Sequence, residues 1–231
     1  MLEHLGEKLI LHVTLGNFSF SFDIVAVIMS WIVIIVLVVV ALILRRGLGQ
    51  DIEEKPSRTQ AMLESLIDLL KGQLTSSFSS DKLAKELFPF VSTIFMFVLV
   101  SNWLSVIPYC ESPTRDLNVT LSLALLVFVM SQLLAVRMRG GIRYLKGFIE
   151  PYPFMLPLNI VSEIAKPISH SFRLFGNTFG GAILVTVVSA KFAPVLVPAA
   201  LNAFYGLFVG AIQAFVFAIL AVAYINVAVE S

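Results

Sequence analysis

Five apolar segments of membrane-spanning length leave this chain few ways to fold. Ile24 to Leu44 runs without a charge between Asp23 and Arg45, and Phe88 to Ile107 and Val119 to Val136 are of comparable length. Pro157 to Ala190 and Pro198 to Val229 are longer than the roughly 20 residues a helix needs to cross a bilayer, so both are expected to tilt. In hydrocarbon every backbone N–H and C=O must be bonded internally, which makes such segments helices. The predicted fold is an all-α membrane protein, one integral membrane domain over 1–231. It has one N-terminal span (24–44), an amphipathic surface helix (60–74), a transmembrane hairpin (88–107 and 119–136) and two long tilted helices (157–190 and 198–229).

Composition narrows the function. The chain is 58% hydrophobic and 13% charged, which excludes an ordinary soluble domain. A formal net charge of +1 gives no support to a nucleic-acid partner. Cys110 is the only cysteine, so neither an intrachain disulfide nor a thiolate metal cluster is available. The first residues carry Glu3 and Glu7 without a basic run and do not read as a signal or transit peptide.

The basic residues orient the chain. Arg45, Arg46, Lys55, Arg58, Lys71, Lys82 and Lys85 share one connection, and Arg137, Arg139, Arg143 and Lys146 share another. The alternate side holds only Lys8, Arg115 and Lys191. The positive-inside rule then predicts an outside N-terminus and a cytoplasmic C-terminus. In the connection after the first span, Met62, Leu63, Leu66, Ile67, Leu70 and Leu74 fall on one helical face. That helix fits a membrane surface or the side of another subunit, and the two are compatible.

Arg173 lies deep in the fourth segment, with apolar sequence continuing beyond it to Lys191. Its guanidinium does not deprotonate. A charge at the bilayer centre costs roughly 3 kcal/mol on insertion scales and more than ~10 in simulations of an isolated helix. Such a charge calls for an anionic partner; the alternative is an arginine that snorkels to the headgroups. On a helix, Lys166, Ser169, His170, Gly176, Asn177 and Gly180 share its face. The last segment carries a similar stripe of Asn202, Gly206, Gly210 and Gln213. The glycines Gly176, Gly180, Gly206 and Gly210 are candidates for close helix packing. Gln213 needs a hydrogen-bonding partner at depth. Counted from the cytoplasmic ends of their segments, Gln213 and Arg173 fall at one level.

Three polar groups leave two readings each. His170 is a packing residue or a proton relay. Glu163 and Lys166 pair with each other or line an ion path. Gln213 bonds a neighbouring helix or takes part in transport. No phosphate-binding loop and no metal-ligand cluster is present. The chain therefore moves or guides charge and makes no covalent bond itself, and no cofactor is expected. An inverted repeat, the mark of many secondary transporters, is not evident. A stand-alone ion channel or secondary transporter is the alternative function.

The run Lys166-Pro167-Ile168-Ser169-His170-Ser171-Phe172-Arg173-Leu174-Phe175-Gly176-Asn177 resembles the arginine-helix signature of subunit a of the F-type ATP synthase. Asp116-Leu117-Asn118-Val119-Thr120-Leu121-Ser122 and Gln213-Ala214-Phe215-Val216-Phe217 agree with that family, and Asn102-Trp103-Leu104-Ser105-Val106-Ile107-Pro108 is a looser match. The blocks follow family order from Asn102 to Val229.

The resemblance implies an ion-translocating stator whose two long helices face a rotating ring of c subunits. Its other partners would be b-type peripheral stalk subunits and the lipid bilayer. The translocated ion would be H⁺, with Na⁺ as the alternative. The membrane would be a bacterial plasma (inner) membrane in preference to a thylakoid-type one. The family's arginine, asparagine and glutamine map onto Arg173, Asn177 and Gln213. Some members carry an acid and a histidine in the outer half-channel, where this chain has Ala182 and Gly206. Asp116, Asn118, Thr178, Thr186, Asn202 and Tyr205 are the candidates by depth to line that path instead.

Overall fold

A computed structural model describes residues 10–15, 18–47, 65, 68, 71–72, 81–107, 110–149, 152–191 and 196–230. Five helical segments among them are long and apolar enough to cross a membrane. The chain is a multi-pass helical protein, with one addition that the sequence reading does not contain. Strands β1 (Ile10–Leu15) and β2 (Phe18–Asp23) form an antiparallel hairpin, pairing Leu11 with Phe22, Val13 with Phe20 and Leu15 with Phe18. The alternation of apolar and polar residues along both strands is the period-two pattern of a ribbon.

Asp23 ends β2 and starts the first span. Its Oδ1 accepts from Val25 N at 3.0 Å, satisfying one of the free amides at the start of α1 (Ile24–Gly47). The rest of α1 is apolar and mostly exposed at its sides; Ala26 and Val33 are its buried positions. It touches α2 (Asp81–Leu104) and the short 3-10 turn Pro113–Arg115. The surface helix expected over 60–74 falls largely outside the described residues; Ser65, Asp68, Lys71 and Gly72 within it are helical and exposed.

The next long helix is α3 (Leu117–Arg139), which follows α2 in the chain but packs on later helices of the bundle. Gly140 follows at φ 83°, a left-handed backbone that glycine adopts without a Cβ penalty. It turns the chain sharply into the short α4 (Gly141–Gly147). The first long helix is α5 (Leu156–Lys191). The second long apolar segment begins as α6 (Leu196–Ala203), passes through a π-helical stretch at Phe204–Val209, and continues as α7 (Gly210–Glu230).

The centre of the bundle is α7. It packs on α2, α3 and α5, and α3 packs on α5. Ala214, Ala218 and Ala221 are buried along it, and small residues at that spacing let neighbouring helices approach closely. Leu87, Val91, Phe95 and Val98 of α2, Val127 of α3 and Leu174 of α5 meet Phe217 and Ile225 of α7 in one core cluster. Glycine takes part in this packing only on one side. A Cβ on Gly206 would lie 2.4 Å from Val106 Cγ2, and one on Gly210 would lie 2.8 Å from Asn102 Cβ. Gly176 and Gly180 have nothing within 4 Å. Both are exposed on α5 with no helix of the described residues against them, which leaves them open to a neighbour outside the chain.

Candidate functional site

The widened turn at Phe204–Val209 organises one end of the bundle. Side chains of α2 bond two carbonyls at and just beyond the end of that turn. Asn102 Nδ2 donates to Gly210 O at 3.0 Å, and Trp103 Nε1 donates to Leu207 O at 3.3 Å. The missing side chains of Gly206 and Gly210 allow this approach. Asn102 Oδ1 in turn accepts from Thr114 Oγ1 at 2.9 Å, and Thr114 O accepts from Thr178 Oγ1 of α5 at 2.8 Å. Ser112 Oγ and Thr114 Oγ1 are 2.7 Å apart. One buried asparagine thus ties α2, the loop, α5 and α7 together.

Losing that asparagine strands several groups. We expect Asn102→Ala to destabilise the subunit by about 1–3 kcal/mol, the cost of leaving buried polar groups unpaired. Thermal unfolding of the detergent-solubilised protein is the measurement, read as a lower midpoint than wild type.

Above this network lies a polar cavity of about 470 Å³. Asn177, Thr178, Thr186, Asn202 and Tyr205 line it, as do Ala182, Gly206 and Gly210. Asn102, Ser105 and Ser112 also line it and were not among the candidates drawn from sequence. Their signal was the Asn102 to Pro108 block, polar residues at the end of an apolar span. At the rim, Glu111 and Arg115 approach to 3.9 Å. Asp116 and Asn118 are not among the residues lining this cavity. Asp116 is buried and caps α3, its Oδ1 accepting from Asn118 N at 2.7 Å, and the Asn118 side chain is exposed.

A second cavity, of about 250 Å³, lies at the opposite end beside α4. Its walls include Gln132, Arg139, Tyr144, Asn159, Ser162 and Glu163. Tyr144 donates its hydroxyl to Gln132 Oε1, and Gln132 Nε2 donates to Glu163 Oε2 at 2.9 Å. The other carboxylate oxygen of Glu163 is paired with Lys166. Lys166 itself stands behind this wall. Burial and then the neighbouring Glu163 carboxylate raise the Tyr144 phenol above its ordinary pKa, so it stays a donor. Arg139 closes the wall on α7, donating to Ala228 O at 3.3 Å.

Arg173 is exposed on the side of α5 between these two ends, on a strip with Ser169, Phe172, Gly176, Phe179 and Gly180. The shared face expected around it therefore divides. His170 is buried, Lys166 and Asn177 are half-buried, and the remaining members face outward. The rings of His170 and Phe217 lie 3.8 Å apart, and Gly181 abuts Tyr205. In antiparallel register these two contacts bracket Arg173 and Gln213 and put them at one level. No hydrogen bond joins them among the described residues, and Gln213 Nε2 is buried without a partner.

A family model of the ATP synthase A chain matches residues 27–226. The chain is similar to ATP synthase subunit a 1 of Crocosphaera subtropica, 37% identical over 199 residues, covering 86% of this chain and 84% of that one. It is similar to ATP synthase subunit a, sodium ion specific, of Propionigenium modestum, 36% identical over 220 residues, 87% of this chain and 73% of that one. A third relative, ATP synthase subunit a of Acidothermus cellulolyticus, is 38% identical over 175 residues, 73% of this chain and 64% of that one. With five helices of spanning length and the arginine signature within the matched region, the chain belongs to the ATP synthase A chain family, a non-catalytic membrane-sector subunit of the ATP synthase complex.

Proposed function

We propose that this subunit is the ion-translocating stator of a rotary F-type ATP synthase and that Arg173 is its working charge. The observation that carries the reading is an exposed guanidinium on the lateral face of α5, between two polar cavities at opposite ends of the bundle. Each subunit of the c ring would bear a carboxylate at this depth. An ion enters through the cavity of Asn102, Asn177, Thr178, Asn202 and Tyr205, which is the outer half-channel. It neutralises a ring carboxylate and is carried around with the ring. It leaves through the cavity of Gln132, Tyr144 and Glu163, the inner half-channel.

Arg173 attracts the emptied, ionised carboxylate, which hydrocarbon would otherwise destabilise, and so favours release of the ion. As a fixed cation it repels ions that would cross directly between the cavities. The pair must also break at every step. A membrane potential supplies about 2.3 kcal/mol per charge per 100 mV, so a deeply trapped ion pair would stall the ring. Exposure of Arg173 and the level placement of Gln213 support a loose, shared interaction. The ion is H⁺, with Na⁺ as the alternative, since the relative from Propionigenium modestum is named as sodium ion specific; the choice lies with the ring carboxylate. The two long helices tilt along the ring. The apolar sides of α1 face lipid and the b-type stalk. The chain sits in a bacterial plasma membrane with its N-terminus outside.

A crosslink tests the orientation. In a Cys110→Ser background, Ile183→Cys on the Arg173 side of α5 is expected to form a disulfide with a ring cysteine placed about 15 Å, ten residues of helical rise, outward of the ring carboxylate. Leu125→Cys, equally lateral but on α3, is expected to form none. Crosslinking from Leu125 and not from Ile183 would overturn the assignment of the α5 face.

A further inference from the structure

The junction of α3, α5 and α7 holds a polar group that neither cavity uses. His170 is 2% exposed, and neither Nδ1 nor Nε2 has a hydrogen-bond partner among the described residues. Phe217 meets its ring edge-on, and the Tyr224 ring lies 5.5 Å away. A neutral imidazole has one donor and one acceptor to satisfy, and leaving both unmade in a buried site is unfavourable.

The ring borders a small void. Ala124, Phe128, Ser131, Lys166, Pro167 and Tyr224 form the other walls, and about 10 Å³ is open to the centre of a water-sized sphere. That matches the lower limit of ~10–15 Å³ that one water requires, and it excludes anything larger. A water also needs two to four polar partners, and the walls supply them. One water can meet only one of the two imidazole nitrogens, which point apart, and its second partner is Ser131 Oγ, which donates to Phe128 O at 2.7 Å and keeps lone pairs free to accept. Lys166 and Tyr224 border the void as well. A dry void would be lined by apolar groups throughout.

The position of the void gives it a role. Ser131 precedes Gln132, and Lys166 is paired with Glu163; Gln132 and Glu163 are both walls of the cavity beside α4. Pro167 has no N–H, so the carbonyl of Glu163 loses its ordinary helical partner at the same place. On its other side, His170 lies one helical turn before Arg173.

We propose that this void holds one ordered water bound to His170, and that it extends the hydrated path of the cavity beside α4 to within a turn of Arg173. The extension runs through the interior of the subunit, on the side away from the exposed strip of α5. The proposal rests on the reading of that cavity as an ion path.

Single-water access has a specific probe. Ser162→Cys, Ser131→Cys and His170→Cys are made separately in a Cys110→Ser background, within the whole complex in membrane vesicles. Each is exposed to Ag⁺, which follows small water-filled paths, or to a bulky cationic thiosulfonate, and the free thiol is then counted by maleimide mass shift after denaturation. Ser162, in the cavity wall, is expected to lose the shift with both reagents. Ser131 and His170 are expected to lose it with Ag⁺ only. Thiols at 131 and 170 that stay free in Ag⁺ while Ser162→Cys is blocked overturn the water site and leave the cavity reading intact. A Ser162→Cys that resists both reagents defeats the cavity reading and the inference with it. Reaction of 131 with the bulky reagent overturns the single-water limit. If His170→Cys fails to assemble, the nearly isosteric Ser131→Cys decides alone.

Discussion

Arg173→Ala is expected to abolish ion-driven ATP synthesis while the complex still assembles. The side chain is exposed and holds no hydrogen bond or ion pair among the described residues, so its removal leaves no partner stranded and no core contact broken. What would disappear is the charge that, in the proposed mechanism, stabilises an ionised ring carboxylate at membrane depth. A loss of about 3 kcal/mol at that step corresponds to a rate reduction of about a hundredfold or more. The measurement is ATP synthesis by reconstituted complexes under an imposed ion gradient and potential, with assembly checked by co-purification. Wild-type synthesis by the alanine variant would sink the proposed mechanism. Arg173→Lys is expected to be impaired as well. A lysine ammonium is a compact, strongly hydrated point charge, without the planar, delocalised fork that holds a carboxylate loosely in more than one geometry.

Gly210→Leu is expected to remove the subunit from the membrane sector altogether. Even the first carbon of a side chain there would fall 2.8 Å from Asn102 Cβ, an atom close to the backbone of α2 that cannot move without moving the helix. Overpacking alone costs about 1–3 kcal/mol. Separating α2 from α7 would also break the bond from Asn102 to Gly210 O, and with it the link to Thr114 and Thr178. Gly206→Leu meets Val106 in the same way. Gly180→Leu is the contrasting variant, because open space surrounds that glycine within the chain. It should leave the subunit folded and inserted, and slow only steps that depend on an external neighbour. Immunoblotting of membranes separates the two outcomes. Normal levels of Gly210→Leu would contradict the packing argument.

The helices of spanning length were legible because hydrocarbon demands long uninterrupted apolar runs. Helix α2 starts at Asp81, ahead of the expected Phe88, because charged and polar residues continue a helix beyond the bilayer as readily as apolar ones. The level placement of Arg173 and Gln213 was likewise readable, since antiparallel helices convert equal distances from one end into equal depth. Other features depend on information that a single segment does not carry. A stripe of small residues signals a close neighbour without saying whose it is. Gly206 and Gly210 meet α2, and Gly176 and Gly180 face out of the chain. Asp116 and Asn118 were assigned by depth, but an aspartate just before a helix serves the helix first, as its cap. The hairpin Ile10–Leu15 and Phe18–Asp23 did carry its signal, as alternation in two short runs beside a much stronger apolar segment. The role of Asn102 emerges only when four separate elements are brought together.

The π stretch at Phe204–Val209 has a consequence for angular phase. A regular α-helix turns about 100° per residue, and a π turn accommodates one residue more than the regular ladder does. The polar positions on either side of it, Asn202 and Gln213, are therefore not bound to the single stripe that continuous α-helical spacing would impose. Asn202 and Tyr205 line the cavity at the loop end, while Gln213 stands level with Arg173. The insertion works as a gearbox within one long apolar segment: it lets the half before it, with Asn202 and Tyr205, be aimed at the cavity and the half after it at its helical neighbours.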